Sequence, residues 1–180
     1  NQDFMETLME NVYYNIFNSL DFGVPQKRER IYIVGFKDSI DYTFPTPLGY
    51  YKPLSEILQN DDDVPQKYFL SDQIKMKRIN AVKVNPPFPS IWHENIGGNI
   101  SPLPYSCALR AGGSYNYLVV NGIRRLTERE MLRLQGFPES FKINIPYTQA
   151  KKAAGNSVSF PVVEAIAGTM IQALNTYHQN

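Results

Sequence analysis

The stretch Pro25-Gln26-Lys27-Arg28-Glu29-Arg30-Ile31-Tyr32-Ile33-Val34-Gly35-Phe36 decides the fold class. Its second half is almost continuously apolar and rich in β-branched and aromatic side chains, the pattern of a strand covered on both faces in the interior of an α/β sheet. Its first half alternates. Gln26, Arg28 and Arg30 recur at every second position, so in an extended chain their side chains leave the same side of the backbone. One amide and two guanidiniums on one face suit the polar edge of a base together with a phosphate. Such a strand predicts a large layered domain of which this chain supplies only part.

Upstream, Tyr13-Tyr14-Asn15-Ile16-Phe17 has the make-up of a second strand, and Asp21-Phe22-Gly23-Val24-Pro25 that of a turn. Asp3 is placed to cap a short helix over residues 4–11. Downstream, between Phe44 and Pro104, most of the prolines gather around a Gly97-Gly98 pair, which predicts an irregular, loop-rich region. Regularity returns at Thr127 and Glu130, spaced as a capping box ahead of Met131-Leu132-Arg133-Leu134, with Gly136 and Pro138 as stop signals. From about Ser157 to Tyr177, Val158, Val162, Ala165, Ile166, Met170, Ile171 and Leu174 fall on one helical face, with Pro161 in the first turn.

Composition narrows the function classes. With 180 residues, 43% hydrophobic and 13% aromatic, the chain carries too much apolar material to be disordered. Its formal charge of +1 does not by itself announce a nucleic-acid partner, so a DNA-binding surface has to be a local patch balanced by acidic segments such as Asp61-Asp62-Asp63. One cysteine, Cys107, excludes an internal disulfide, and with only His93 and His178 beside it no Cys/His zinc site can be assembled; no metal is expected. A reducing, intracellular and cytoplasmic setting, bacterial in type, is expected. No apolar run reaches the roughly 20 residues of a membrane span. The start, Asn1-Gln2-Asp3-Phe4, has neither an initiator methionine nor a basic signal-peptide region, and reads as cut from something longer.

Three motifs stand in one order: Pro25-Gln26-Lys27-Arg28-Glu29-Arg30, then Arg124-Arg125-Leu126-Thr127-Glu128-Arg129-Glu130 running into Arg133-Leu134-Gln135-Gly136-Phe137-Pro138, then Gly155-Asn156-Ser157-Val158. Together they resemble the last three motif blocks of the cytosine-5 DNA methyltransferases, in family order and at family-like spacing, over about Tyr14 to Leu174. Lys52 to Ser101 matches no motif. The resemblance implies an enzyme that swings the target cytosine out of the duplex and holds it by its polar edge. It assigns the flipped cytosine and its phosphate to Gln26, Arg28 and Arg30, and a mainly architectural role to the second block. It assigns contact with S-adenosyl-L-methionine to Asn156, Ser157 and Val158, where backbone N–H groups at a helix start favour an anionic end of the cofactor.

In the family a thiolate in a Pro-Cys dipeptide attacks carbon 6 of cytosine and makes carbon 5 nucleophilic. This sequence has no Pro-Cys, and Cys107 follows Ser106 in the recognition region, so no catalytic residue is assigned. Glu10-Asn11-Val12 spells a tripeptide whose glutamate meets the cytosine ring in the family, but it lies 16 residues before Gln26, much nearer than the family's copy, and is read as coincidence. A glycine-rich loop after a strand is also absent. The chain is therefore expected to be inactive alone and to share the cofactor with an N-terminal catalytic half, in the same polypeptide or as a separate subunit. A non-catalytic DNA-binding module derived from the fold is the alternative.

The expected architecture is α/β: a partial Rossmann-like methyltransferase domain plus a small, loop-rich, mainly β target-recognition domain. Residues 1–58 belong to the catalytic domain, 59–155 to the recognition domain and hinge, and 156–180 to a closing helix that packs back on the catalytic domain. Double-stranded DNA is read in the major groove by two loops, Ile96 to Ile100 and Arg110 to Asn116, through Gly97, Gly98 and Asn99 and through Arg110, Gly112, Gly113, Ser114 and Asn116, with Trp92 and His93 flanking the first. Where the family commonly has Thr-Leu ahead of the second loop this sequence has Ala108-Leu109, which leaves Arg110 to replace the threonine's backbone contact.

Overall fold

The computed structural model describes residues 11–114 and 117–179. The two apolar runs form strands as expected: β1 (Val12–Asn18) pairs antiparallel with β3 (Glu29–Gly35), Ile16 opposite Ile31. Between them lies the two-residue strand β2 (Gln26–Lys27). The helix expected over residues 4–11 and the glutamate of the Glu10-Asn11-Val12 tripeptide lie outside the described residues.

Period 2 sorts this hairpin into two faces. Tyr13, Phe17, Tyr32 and Val34 point into an apolar cluster with Phe22 and Tyr42, closed by Val162 and Ile166 of the last helix, α4 (Phe160–Gln179). Edge-on ring pairs such as Phe17–Phe22 at 5.0 Å and Tyr42–Phe44 at 5.1 Å, and a 3.0 Å bond between the Tyr42 and Thr169 hydroxyls, fix the packing. The opposite face carries Val12, Tyr14, Ile16, Ile31 and Ile33, and all five are exposed, Tyr14 at 73% and Ile33 at 67%. The expectation of a strand covered on both faces is thus met on one face only. The run is continuous because both faces are apolar, but among the described residues one face alone is packed, by Phe22, Tyr42 and α4.

The proline-rich middle is more regular than its composition suggests. After helix α1 (Asp72–Ala81) come β4 (Ile91–Glu94), β5 (Ile100–Leu103), β6 (Ser106–Cys107), β7 (Leu118–Val120) and β8 (Arg124–Arg125). Four of these form an antiparallel sheet in the order β5-β4-β7-β8, while β6 pairs parallel with β2 and so joins the middle region to the first motif. The sheet is covered on both sides. Ile91, Leu118 and Val120 face the largest core, built with Leu109, Leu126 and residues of α2 (Glu128–Leu134) and α3 (Tyr147–Asn156), whereas Trp92 and Val119 face Leu70 and Ile74 of α1.

The capping box forms as read: Thr127 Oγ1 accepts from the Glu130 N–H at 3.2 Å and Glu130 Oε2 from the Thr127 N–H at 2.8 Å. Glu130 also holds the fully buried Arg124 guanidinium by two bonds of 2.9 and 3.0 Å, so one carboxylate caps the helix and neutralises a buried cation. The last helix begins at Phe160, leaving Val158 outside it and 51% exposed, and Ile171 is likewise exposed. Residues 147–156 form a separate helix the sequence reading did not resolve. No single described helix is long and apolar enough to cross a membrane.

Ile166→Ala, which opens the α4 cluster, is expected to cost about 2–5 kcal/mol. Ile33→Ser on the bare face is expected to stay within about 0.5 kcal/mol. Urea unfolding of the chain by itself measures both, and equal costs would mean the two faces are wrongly assigned.

Candidate DNA and cofactor site

The three sequence motifs meet in one buried polar cluster. The Gln26 side chain, fully buried, donates from Nε2 to the Leu134 carbonyl at 2.8 Å and to Gln135 Oε1 at 3.2 Å, and its Oε1 accepts from the Leu109 N–H at 2.9 Å. Gln135 in turn donates to the Ala154 carbonyl at 2.6 Å. Arg28 reaches the Leu109 carbonyl at 3.2 Å and the carbonyls of Ser157 at 2.8 Å and Gly155 at 3.4 Å. Burial, and then the nearby Arg30 charge, lower the Arg28 pKa from its usual value. Six carbonyl or amide groups, from five residues far along the chain, are held by two motif side chains.

This corrects part of the sequence expectation. Gln26, Arg28 and Arg30 were expected to offer one open face to a base and its phosphate. Gln26 has both ends occupied inside the protein, and Arg28 is buried against carbonyls, because β2 lies under the middle region through its pairing with β6. Of the three, Arg30 is exposed, its guanidinium donating to the neighbouring Glu29 carbonyl at 2.6 Å.

The third motif also sits differently from its reading. Gly155 and Asn156 form the C-terminal end of α3, so carbonyls rather than free N–H groups gather there; the Ser157 N–H is used by the Ala153 carbonyl at 2.8 Å and its hydroxyl by Ala154 at 2.9 Å. Asn156 and Val158 remain exposed on either side of it. Gly155 itself is required by close approach: a Cβ there would strike the backbone of Arg110 and Ala111.

Around the start of the second loop, the Arg110 N–H donates to the Tyr117 hydroxyl at 2.7 Å and its guanidinium lies 4.8 Å from that ring's centroid, where Lys151 also approaches. His93 meets the same ring edge-on at 6.5 Å, and burial followed by the Arg110 charge lowers its pKa. Gly112 and Ser114 are exposed and Gly113 half-buried; Asn116 lies outside the described residues. The first loop is the tip of the β4–β5 hairpin, where Asn95 Oδ1 accepts from the Asn99 N–H at 3.0 Å and Gly98 takes a left-handed φ of 77°, leaving Ile96 fully exposed; Gly97 is also exposed. Trp92 is not at this surface: it is buried under the sheet, its Nε1 donating to the Ser90 hydroxyl at 3.0 Å. Cys107 is half-buried in β6, and burial pushes its thiol up, away from the thiolate a nucleophile needs.

The fold so described is that of methyltransferases. The structure matches that of an Entamoeba histolytica methyltransferase, EhMeth, with a TM-score of 0.67 at 16% identity, covering 91% of this chain and 54% of that one. It matches the S. pombe Dnmt2 methyltransferase with a TM-score of 0.61 at 17% identity, covering 97% and 62%. The family model for C-5 cytosine-specific DNA methylase matches residues 3–172, and the chain belongs to that family. Among its relatives, the Type II methyltransferase M.NgoBI of Neisseria gonorrhoeae is 68% identical over 164 residues, 89% of this chain and 52% of the relative. M.HaeII of Haemophilus aegyptius is 64% identical over 173 residues, 96% of this chain and 54% of the relative. The chain spans about half the length of these curated relatives.

Gln26→Leu strands the Leu109 N–H, the Leu134 carbonyl and the Gln135 amide. Since each buried orphan costs about 1–3 kcal/mol, a loss of at least about 2 kcal/mol is expected in denaturant unfolding. Wild-type stability in that variant would show the cluster to be incidental to the fold.

Proposed function

We propose that this chain is the C-terminal part of a DNA (cytosine-5-)-methyltransferase of the restriction-modification type, and that it reads a specific duplex sequence, helps to hold the flipped cytosine and completes the S-adenosyl-L-methionine site. The observation that carries this reading is the convergence of all three motifs on the Gln26–Arg28–Gln135 cluster, with Arg30, Asn156 and Val158 exposed beside its members. A cluster of this kind holds an exposed arginine and an exposed cofactor edge at a fixed separation, which two-substrate chemistry requires.

In this reading Gln26 and Arg28 are positioning residues, and Arg30 is the group that meets the cytosine or its phosphate. The Asn156 amide and the Val158 side chain offer a polar and an apolar contact for one edge of S-adenosyl-L-methionine, which supplies the methyl group when bound. Ser157 acts through its backbone, holding Arg28. Residues 1–58 and 156–180 complete the partial Rossmann-like catalytic domain and 59–155 form the recognition domain, with Asn99, Arg110, Ser114 and Asn116 as the base-edge readers and Gly97, Gly98, Gly112 and Gly113 allowing close approach. The N-terminal catalytic half, supplying nucleophile and glycine-rich loop, covers the bare face of β1 and β3.

The chain alone is expected to transfer no methyl group to DNA, and addition of the complementary half is expected to restore transfer. In the restored enzyme Arg30→Ala should lower activity by roughly ten- to a hundredfold, the loss of one charge-assisted contact of about 1.5–3 kcal/mol. Transfer by the 180-residue chain without its complement overturns the fragment reading. Exchanging Ile91 to Asn116 for the segment of a relative with another target should move the methylated sequence in a randomised library while cofactor binding stays intact; an active chimera that keeps the parent's preference places the readers elsewhere.

A further inference from the structure

A shallow trough of about 310 Å³ opens beside the recognition loops, between α1 and the β4–β5 hairpin. Ile74, Lys77 and Ala81 of α1 form one wall, Gly98 and Ser114 reach it from the two loops, and the ion pair between Arg78 and Glu94 lies at its floor. None of the three motifs enters it.

Positive charge gathers along this helix. Residues 72–83 carry Lys75, Lys77, Arg78 and Lys83 against Asp72 alone, in a protein whose total is +1. Arg78 is compensated by Glu94 and Lys75 by Asp72 at 3.2 Å, whereas exposed Lys77 has no acidic partner among the described residues. The acidic triplet that balances the total lies elsewhere, with Asp61 held by Arg124 at 2.5 Å. The trough therefore presents one uncompensated ammonium on a helix locked to the sheet, next to two glycine-bearing loops.

On the proposed reading that these loops face duplex DNA, we infer that Lys77 binds a backbone phosphate adjoining the recognised bases, with Ser114 as a hydroxyl donor across the trough. A lysine is a compact point charge on a flexible stem, suited to a phosphate rather than to the planar edge of a base. The contact adds affinity without sequence information and sets where the hairpin tip and second loop stand along the groove. The ion pair of Arg78 with Glu94 ties α1 to β4, so a phosphate held by Lys77 is held in a fixed relation to that hairpin.

The test is duplex binding by the complete methyltransferase, titrated from low to moderate salt on cognate and scrambled DNA. Lys77→Ala should weaken both duplexes alike, by roughly three- to tenfold, and should lower the slope of log affinity against log salt by about 0.9, the release of one counterion. Lys77→Arg should recover most of the loss. Arg110→Ala should instead narrow the gap between the two duplexes. If Lys77→Ala leaves affinity and salt slope unchanged while Arg110→Ala alters the preference, the phosphate assignment fails and the recognition reading stands. If the unsubstituted enzyme binds neither duplex, the recognition reading fails and this inference with it.

Discussion

The structure depends on the buried contacts made by Gln26 and Arg28. A glutamine with no exposed surface is tolerable only if both ends of its amide are used, and here the two ends meet distant parts of the chain: the end of α2 with its following glutamine, and the backbone at Leu109. Arg28 extends the same logic to the turn between α3 and α4. Buried polar groups contribute little net stability when paired but cost much when orphaned. Such a cluster therefore acts less as glue than as a geometric condition: misplacing any one segment leaves several donors and acceptors unmet.

The same residues explain how two differently built halves are joined. The β1–β3 hairpin and α4 have their own apolar cluster, and the four-stranded sheet has cores on both faces. Between them run polar contacts: the short parallel pair of β2 with β6, and the Gln26, Arg28 and Gln135 side chains. Directional bonds fix orientation where interdigitated aliphatic side chains would allow sliding.

What was legible in the sequence follows from how local each signal is. The two strands, the capping box and the closing helix carry signals within a few residues, and they appear within about three residues of where patterning puts them. Helix α1 has almost no apolar face, only Ile74 packing inward, so periodicity was silent; Ser71-Asp72 at its start was the available signal. The β7–β8 hairpin has its local signal in Asn121-Gly122, which adopts left-handed φ values of 49° and 74° with a 2.9 Å bond from the Ile123 N–H to the Val120 carbonyl. The site was legible as a set of motifs and illegible as a geometry. Alternation groups Gln26, Arg28 and Arg30, but the side of an extended segment that meets protein rather than solvent is settled by β6, some 80 residues downstream.

Close packing adds a constraint that hydrogen bonds alone do not. Gly155 sits against the Arg110–Ala111 backbone so tightly that even a methyl group has no room, and Arg28 binds the carbonyls on both sides, at Leu109 and at Gly155. The end of α3, which leads into Asn156 and Val158, and the start of the second loop are therefore in direct backbone contact, and neither can shift by more than a fraction of an ångström without the other. Gly112 and, at the hairpin tip, Gly98 have open space around them, whereas Gly113 is held by Lys151 and packs on the Tyr117 ring. A change in Gly155 or Gln26 therefore disturbs the end of α3 and the base of the second loop together.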